Sequence, residues 1–318
     1  MKISPLSGGL LVALLAAVSF GTSGALVKPI LEAGWSPTAA VTARALTAGV
    51  VLLPLALLSL RGRWAALWRG RWRILAMGVI GVASTQLAYF AALQTIPVST
   101  ALLIEFLAPL LLVGFAWVTT RRMPRRTVLL GSALAVGGLV LVIGPGAIGA
   151  EDPVGVIFAF GAAIACAVFF VVAARPAQGL PPIALAAFGL LLGGAVLGLL
   201  GMTGVLPFTA TFGQIALLGS MAPWWVPLLV LAVFSTAVAY AAGITAASAL
   251  GSRLASFTGL LEVIFASLFA WLLLGEQLAP LQLLGGLLIL GGIAAVGQRR
   301  LEVDTVVVAP PPQPAARV

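Results

Sequence analysis

Long apolar runs separated by short polar segments dominate the sequence. Ten runs can be distinguished, at residues 8–30, 37–60, 74–94, 99–119, 127–146, 153–174, 181–203, 225–247, 254–274 and 279–298. Each has about the length, roughly 20 residues, that an α-helix needs to cross a bilayer core of roughly 30 Å. The pattern predicts an all-α integral membrane protein with ten transmembrane helices, numbered spans 1 to 10 in chain order.

The structure of the remaining segments can be predicted from their composition. Lys2 and the apolar stretch after it resemble a signal peptide, but more membrane-like sequence follows, so this stretch is interpreted as span 1. Residues 204–223 are mildly apolar and are predicted to form a loop, with or without a short interfacial helix. The segment 301–318 is rich in proline and lacks periodicity, which predicts a disordered cytoplasmic tail.

The distribution of charge supports this topology and predicts its orientation. Only 8% of the residues are charged and 62% are hydrophobic, too few charges to cover a soluble surface. The net charge of +9 does not indicate nucleic-acid binding, because the basic residues lie in short loops between apolar runs. One side of the predicted bundle collects nearly all of them, whereas the other has only Lys28. The predicted location is the inner membrane of the cell, and the positive-inside rule predicts that both termini are cytoplasmic.

Self-comparison reveals an internal repeat. Ser84-Thr85-x-x-Ala88-Tyr89 recurs as Ser235-Thr236-x-x-Ala239-Tyr240, Phe115-Ala116-Trp117 as Phe269-Ala270-Trp271, and Gly131 with Gly137-Gly138 as Gly285 with Gly291-Gly292. The repeats are assigned to residues 1–148 and 149–300. Because each contains five spans, the second enters the membrane from the opposite face and the repeat is inverted. Such repeats suit alternating access in transporters, although channels and membrane enzymes are also built by duplication.

Three charged residues lie well inside the predicted spans, and such groups are functional candidates because burying them in hydrocarbon is costly. Arg44 and Glu105 both lie roughly 10 Å from the outer ends of spans 2 and 4, at about 1.5 Å per residue. They are predicted to share a cavity, where Arg44 holds a substrate carboxylate or neutralises Glu105, and Glu105 holds an ammonium group or a proton. The alternatives are a structural Arg–Glu pair or an Arg44 that snorkels outward. Glu262 enters span 9 from the other side, as a second proton site or as a packing residue.

Four uncharged candidates complete the predicted site. Tyr89 and Tyr240 occupy matched positions of the repeat, and a buried tyrosine hydroxyl needs a partner, so they line a pocket or pack helices together. Gln86 shares the helix face of Tyr89. Pro109 removes a backbone hydrogen bond from span 4, which predicts a kink that can serve gating.

Several classes of function are excluded by what the sequence lacks. It has no histidine and one cysteine, so no metal site or intrachain disulfide is predicted. It has no phosphate-binding GxxxxGK[ST] loop and no Ser/His or Cys/His pair, so neither an enzyme nor a cofactor is predicted. The expected partners are a small-molecule substrate and the lipid bilayer. The glycine-rich faces of spans 5 and 10 form a homodimer interface or pack within one chain.

The motifs resemble a known family. Ten spans in two repeats, together with Leu261-Glu262-Val263-Ile264-Phe265, Leu274-Gly275-Glu276-Gln277-Leu278, Gln282 and Gly285, resemble the EamA family of the drug/metabolite transporter superfamily. Gln94-Thr95-Ile96-Pro97 and Glu105-Phe106-x-x-Pro109 resemble its threonine/homoserine exporter branch. The family usually has a proline after the glutamate of span 9, where this chain has Val263.

The resemblance implies a secondary transporter that exports amino acids or related small metabolites, driven by the proton gradient. The alternatives are a channel or facilitator of the same fold, and a lipid or drug translocase. Flux that is indifferent to pH would favour the channel.

Overall fold

The computed structural model describes residues 5–96, 98–144, 152–175, 179–217, 220–275 and 279–308. Within these residues, ten helical units are long and apolar enough to cross a membrane, which confirms the predicted spans. They are Ser7–Glu32, Pro37–Ser59, Arg71–Ala92, Thr100–Thr120, Arg126–Ile143, Pro153–Ala174, Pro182–Met202, Trp225–Leu250, Ser252–Leu273 and Pro280–Gly297.

Half of the spans are not continuous α-helices. Spans 1, 4 and 9 are each broken into two helices: Pro5–Gly21 and Ser23–Glu32, Val98–Glu105 and Ala108–Thr120, Ser252–Gly259 and Leu261–Leu274. Spans 3 and 8 each contain a π-helical segment, in the series Arg71–Leu75, Ala76–Ser84 (π), Thr85–Ala92 and Trp225–Ala232, Val233–Val238 (π), Ala239–Leu250. The continuous helices are Pro37–Ser59, Arg126–Ile143, Pro153–Ala174, Pro182–Met202 and Pro280–Val308, and a short helix Ala65–Arg69 precedes span 3.

Proline and a capping side chain fix where the continuous helices begin. Pro37 and Pro153 stand in the first turn, where the missing N–H costs nothing because that amide has no partner within the helix. The Ser36 hydroxyl accepts from the Ala39 amide, and the Asp152 carboxylate accepts from the Val154 amide at 2.9 Å. Ser36 and Pro37 together therefore determine where the loop between spans 1 and 2 ends and span 2 begins.

The helix breaks of spans 4 and 9 and the π-helical segments of spans 3 and 8 occupy equivalent positions of the two repeats. The first helix of span 4 ends at Glu105, and that of span 9 ends at Gly259. These two residues are as far apart in the sequence as the repeated residues Phe115 and Phe269, so the two breaks occupy equivalent positions of the repeat. In the π-helical segments, the Thr85 hydroxyl donates to the Ile80 carbonyl and the Thr236 hydroxyl to the Leu231 carbonyl, each at 3.1 Å. Duplication has therefore preserved the irregularities of spans 3 and 4 in spans 8 and 9, whereas the break in span 1 has no counterpart in the continuous span 6.

The repeated glycines of spans 5 and 10 pack against each other. A Cβ atom added to Gly138 would lie 2.5 Å from the Gly285 carbonyl oxygen, and one added to Gly292 would lie 2.6 Å from the Gly131 carbonyl oxygen. The two backbones can approach this closely only because neither carries a side chain. The contact supports packing within the chain, rather than a homodimer contact, for this glycine face.

Many large apolar side chains are exposed on the outside of the bundle. Phe115 of span 4, Ile157 of span 6 and Leu287 of span 10 are each more than 60% exposed. Such a continuous apolar exterior is incompatible with water and suits contact with lipid.

A β-hairpin stands where a loop or interfacial helix was predicted over residues 204–223. Its strands Gln214–Leu217 and Ser220–Pro223 pair antiparallel, so the alternative of a short helix is wrong for these residues, and the predicted loop is confined to residues 204–213. The chain leading into the hairpin binds the loop between spans 1 and 2: the Ser36 amide donates to the Thr209 carbonyl at 2.9 Å. The Trp35 indole N–H also donates to the Thr211 carbonyl, at 2.7 Å. Backbone hydrogen bonding to a partner loop thus determines a conformation that composition did not reveal.

The helix of span 10 runs on to Val308, into the segment predicted to be disordered. Residues 309–318 of that predicted tail, and the predicted repeat boundary at 148/149, lie outside the described residues.

Candidate functional site

A cavity of about 500 Å³ lies among spans 1, 2, 3, 4 and 9. Most of its lining is apolar. It extends to Leu31, Leu93 and Ile143, which stand at the ends of spans 1, 3 and 5 that lie away from the arginine-rich loops. The cavity therefore connects the middle of the bundle with the arginine-poor face.

The cavity gathers most of the predicted site residues from four different spans. They are Arg44, Gln86, Tyr89, Glu105 and Glu262. Half-helices of spans 4 and 9 contribute the two carboxyl groups, span 2 contributes the guanidinium, and Thr85–Ala92 of span 3 contributes the amide and the phenol. The prediction that Arg44 and Glu105 share a cavity agrees with this arrangement.

Arg44 has a different partner from the one considered in the sequence. Its Nη1 donates to the Ser23 hydroxyl at 2.8 Å. Among the described residues, it makes no ion pair with Glu105 or Glu262, and no side chain donates a hydrogen bond to either carboxyl group. Arg44 does not snorkel outward either, because its side chain lines the cavity. Its charge and both carboxyl groups are therefore available to a ligand.

The breaks in spans 4 and 9 place one carboxyl group at the carbonyl end of a half-helix and the other at the amide end of a half-helix. Glu105 is the last residue of its half-helix, and Pro109 has no N–H to donate to the Glu105 carbonyl. The carbonyl end of a helix carries partial negative charge and favours a cation. Glu262 lies in the first turn of its half-helix, whose amide end favours an anion.

Two predicted residues do not line this cavity. Tyr240 packs edge-to-face between Phe20 at 5.3 Å and Phe169 at 5.8 Å between ring centroids. The inverted repeat places its counterpart, Tyr89, in the cavity and Tyr240 nearer the opposite face. Pro109 is buried in the first turn of Ala108–Thr120, so it begins a new helix instead of kinking a continuous one.

Sequence reasoning missed Ser23 and the break in span 1 that positions it. At this break the Thr22 hydroxyl donates to the Ser19 carbonyl at 2.7 Å and lies 2.6 Å from the Ser235 hydroxyl. The available signal was the run Gly21-Thr22-Ser23-Gly24, small and hydroxylated residues inside an otherwise apolar span. Interrupted segments of this kind mark binding sites in transporters.

Comparison with known proteins gives three findings. The model of the EamA-like transporter family matches residues 7–144 and 153–298, one match in each repeat. An "Uncharacterized transporter" of Archaeoglobus fulgidus is 29% identical over 209 residues, which cover 66% of this chain and 70% of that protein. A solved crystal structure superposes with a TM-score of 0.74 at 20% identity, over 92% of this chain and 98% of the other, a similarity of fold.

Proposed function

Because the chain belongs to the EamA-like transporter family, we propose that it is a proton-coupled secondary transporter that exports amino acids or related small metabolites. As a family member with ten apolar helices in the part of the chain that the structure describes, it is a multi-pass membrane protein and a transporter, not an enzyme. The substrate class, the coupling to protons, the direction and the inner-membrane location form the proposal.

The observation that carries the substrate class is that charged groups of both signs, which form no ion pair with each other among the described residues, line one cavity. Arg44 offers a planar fork of donors that suits a carboxylate, and Glu105 offers an acceptor for an ammonium group. The volume of about 500 Å³ is in the range of small-molecule sites, roughly 300–1,000 Å³. An amino acid carries both complementary groups a few ångströms apart.

The motif Glu105-Phe106-x-x-Pro109 supports an amino acid of the threonine or homoserine type. Glu105 of this motif lines the cavity, and Pro109 leaves the Glu105 carbonyl without its usual backbone donor. The motif therefore shapes the place where a substrate ammonium group would bind.

The direction of access supports alternating access. With the arginine-rich loops in the cytoplasm, both termini are cytoplasmic and the cavity faces outward. The matched breaks in spans 3, 4, 8 and 9 allow the second repeat to open a corresponding path to the cytoplasm when the first one closes.

Flux from reconstituted proteoliposomes tests this function. We expect labelled amino acids loaded into the vesicles to leave faster when a pH gradient is imposed, with saturation at high substrate concentration. Protein-free vesicles provide the control. A saturable flux that is indifferent to the gradient would favour a facilitator of the same fold, and no flux of any amino acid would reject the proposal.

A further inference from the structure

Glu262 borders a second, smaller space besides the main cavity. This space has a volume of about 50 Å³ and lies among the halves of spans 1, 8 and 9 nearer the arginine-rich face, with Phe170 of span 6 at its edge. It shares Phe20 and Glu262 with the main cavity. Its other polar side chain, Thr258, donates to the Ala255 carbonyl at 2.9 Å. Glu262 is therefore the ionisable group that borders both spaces in the described part of the chain.

The second space corresponds to the main cavity through the inverted repeat. Gly259 lines it at the end of the first half-helix of span 9, where Glu105 stands at the end of the first half-helix of span 4. The two spaces thus lie toward opposite faces of the bundle on either side of Phe20 and Glu262, and the one nearer the arginine-rich face is much the smaller. The repeat has not preserved an acid at Gly259, so both carboxyl groups serve the same central site.

The charges of that site do not balance. Arg44 contributes one positive charge, whereas Glu105 and Glu262 contribute two negative charges when ionised. All three groups line the same cavity, so their charges act on one another across it. The other titratable side chain that lines the cavity in the described part of the chain is Tyr89, a phenol that is ordinarily neutral at pH 7.

An excess charge in a site of low dielectric constant requires a cation to compensate it. A neutral zwitterion does not supply one, since its own charges cancel. A proton does, and so does a substrate with one net positive charge. These two can therefore replace each other without leaving the site charged, whereas replacing the proton by a neutral zwitterion leaves one uncompensated negative charge.

Building on the transport function proposed above, we propose that the preferred substrate is a diamino monocarboxylic acid with one net positive charge, exchanged for one proton. Its carboxylate binds Arg44, one ammonium group binds Glu105 and the other binds Glu262. When the substrate leaves, a proton takes its place on the carboxyl pair. One positive charge moves in each direction, so the exchange is electrically neutral.

Competition between two substrates tests the charge balance. In proteoliposomes, the kcat/KM for 2,4-diaminobutyrate is expected to be at least about tenfold higher than that for threonine. Threonine lacks the second ammonium group and therefore loses one charged hydrogen bond, which accounts for a difference of this size. Its flux should respond to a pH gradient but not to a potassium diffusion potential. Threonine flux that exceeds diaminobutyrate flux, or diaminobutyrate flux that follows the potential, would overturn the inference while leaving amino-acid transport intact. No flux of either would reject both proposals.

The variant Glu262→Gln separates this role from a purely structural one. It removes one negative charge, so the site becomes balanced with a neutral zwitterion, and the preference should reverse in favour of threonine. Glu32→Gln is the matched control, because Glu32 is an exposed acid outside the cavity. Uniform loss of flux for both substrates in Glu262→Gln, in protein with the wild-type Tm, would contradict the assignment.

Discussion

Replacing Arg44 by alanine is expected to reduce kcat/KM for amino-acid transport by roughly 30-fold or more. The variant leaves the substrate carboxylate without its cation and leaves Glu105 and Glu262 facing it, and removing one partner of a buried charge pair costs about 2–5 kcal/mol. Efflux from proteoliposomes measures the effect.

Two further variants show whether the effect of Arg44→Ala comes from the charge and geometry of Arg44 in the cavity. Arg44→Lys keeps the charge but loses the two-pronged geometry, so an intermediate rate is expected. Arg63→Ala is the matched control, since Arg63 donates to the Ser59 carbonyl at the exposed end of the same helix. Normal transport by Arg44→Ala would remove Arg44 from the site.

Gly138→Ala is expected to destabilise the protein by about 1–3 kcal/mol or more, the usual cost of overpacking. The new methyl group would lie 2.5 Å from the Gly285 carbonyl oxygen and 2.8 Å from the Ile289 amide nitrogen. These are backbone atoms, so a side-chain rotation cannot relieve the overlap, and spans 5 and 10 must separate. Thermal unfolding in detergent measures the change as a lower Tm.

The adjacent glycine is a matched control for this prediction. A Cβ atom added to Gly137 has nothing within 4 Å. Gly137→Ala should therefore keep or raise the Tm, because alanine favours a helix over glycine by about 1 kcal/mol. Equal losses in the two variants would mean that the close approach of spans 5 and 10 is not what requires glycine at position 138.

The predictable part of the fold is what hydropathy and self-comparison can detect. Ten apolar runs fixed the number of spans, since no other element satisfies its backbone groups in lipid. The repeat also revealed glycines at matched positions of spans 5 and 10, although not how they pack: Gly138 meets Gly285 and Gly131 meets Gly292, so each glycine contacts the counterpart of the other. The hairpin at 214–223 escaped prediction because it depends on contacts with Trp35 and Ser36, which are distant in sequence.

The site was predictable only in part for a similar reason. Charged residues in apolar runs are conspicuous, so Arg44, Glu105 and Glu262 were identified by depth alone. Rotation of a helix about its axis is not readable from hydropathy when nearly every position is apolar. Tyr240 was therefore grouped with the cavity although it packs between Phe20 and Phe169, and Ser23 was overlooked.

The central claim is that the cavity between spans 2, 4 and 9 binds the transported amino acid. Calorimetric titration of the purified protein with 2,4-diaminobutyrate and threonine tests it most directly, for wild type and for Glu105→Gln, with Glu32→Gln as control. The account predicts saturable binding to wild type and to Glu32→Gln, and binding at least about tenfold weaker in Glu105→Gln. Equal affinity in wild type and Glu105→Gln, with both proteins folded, would contradict it.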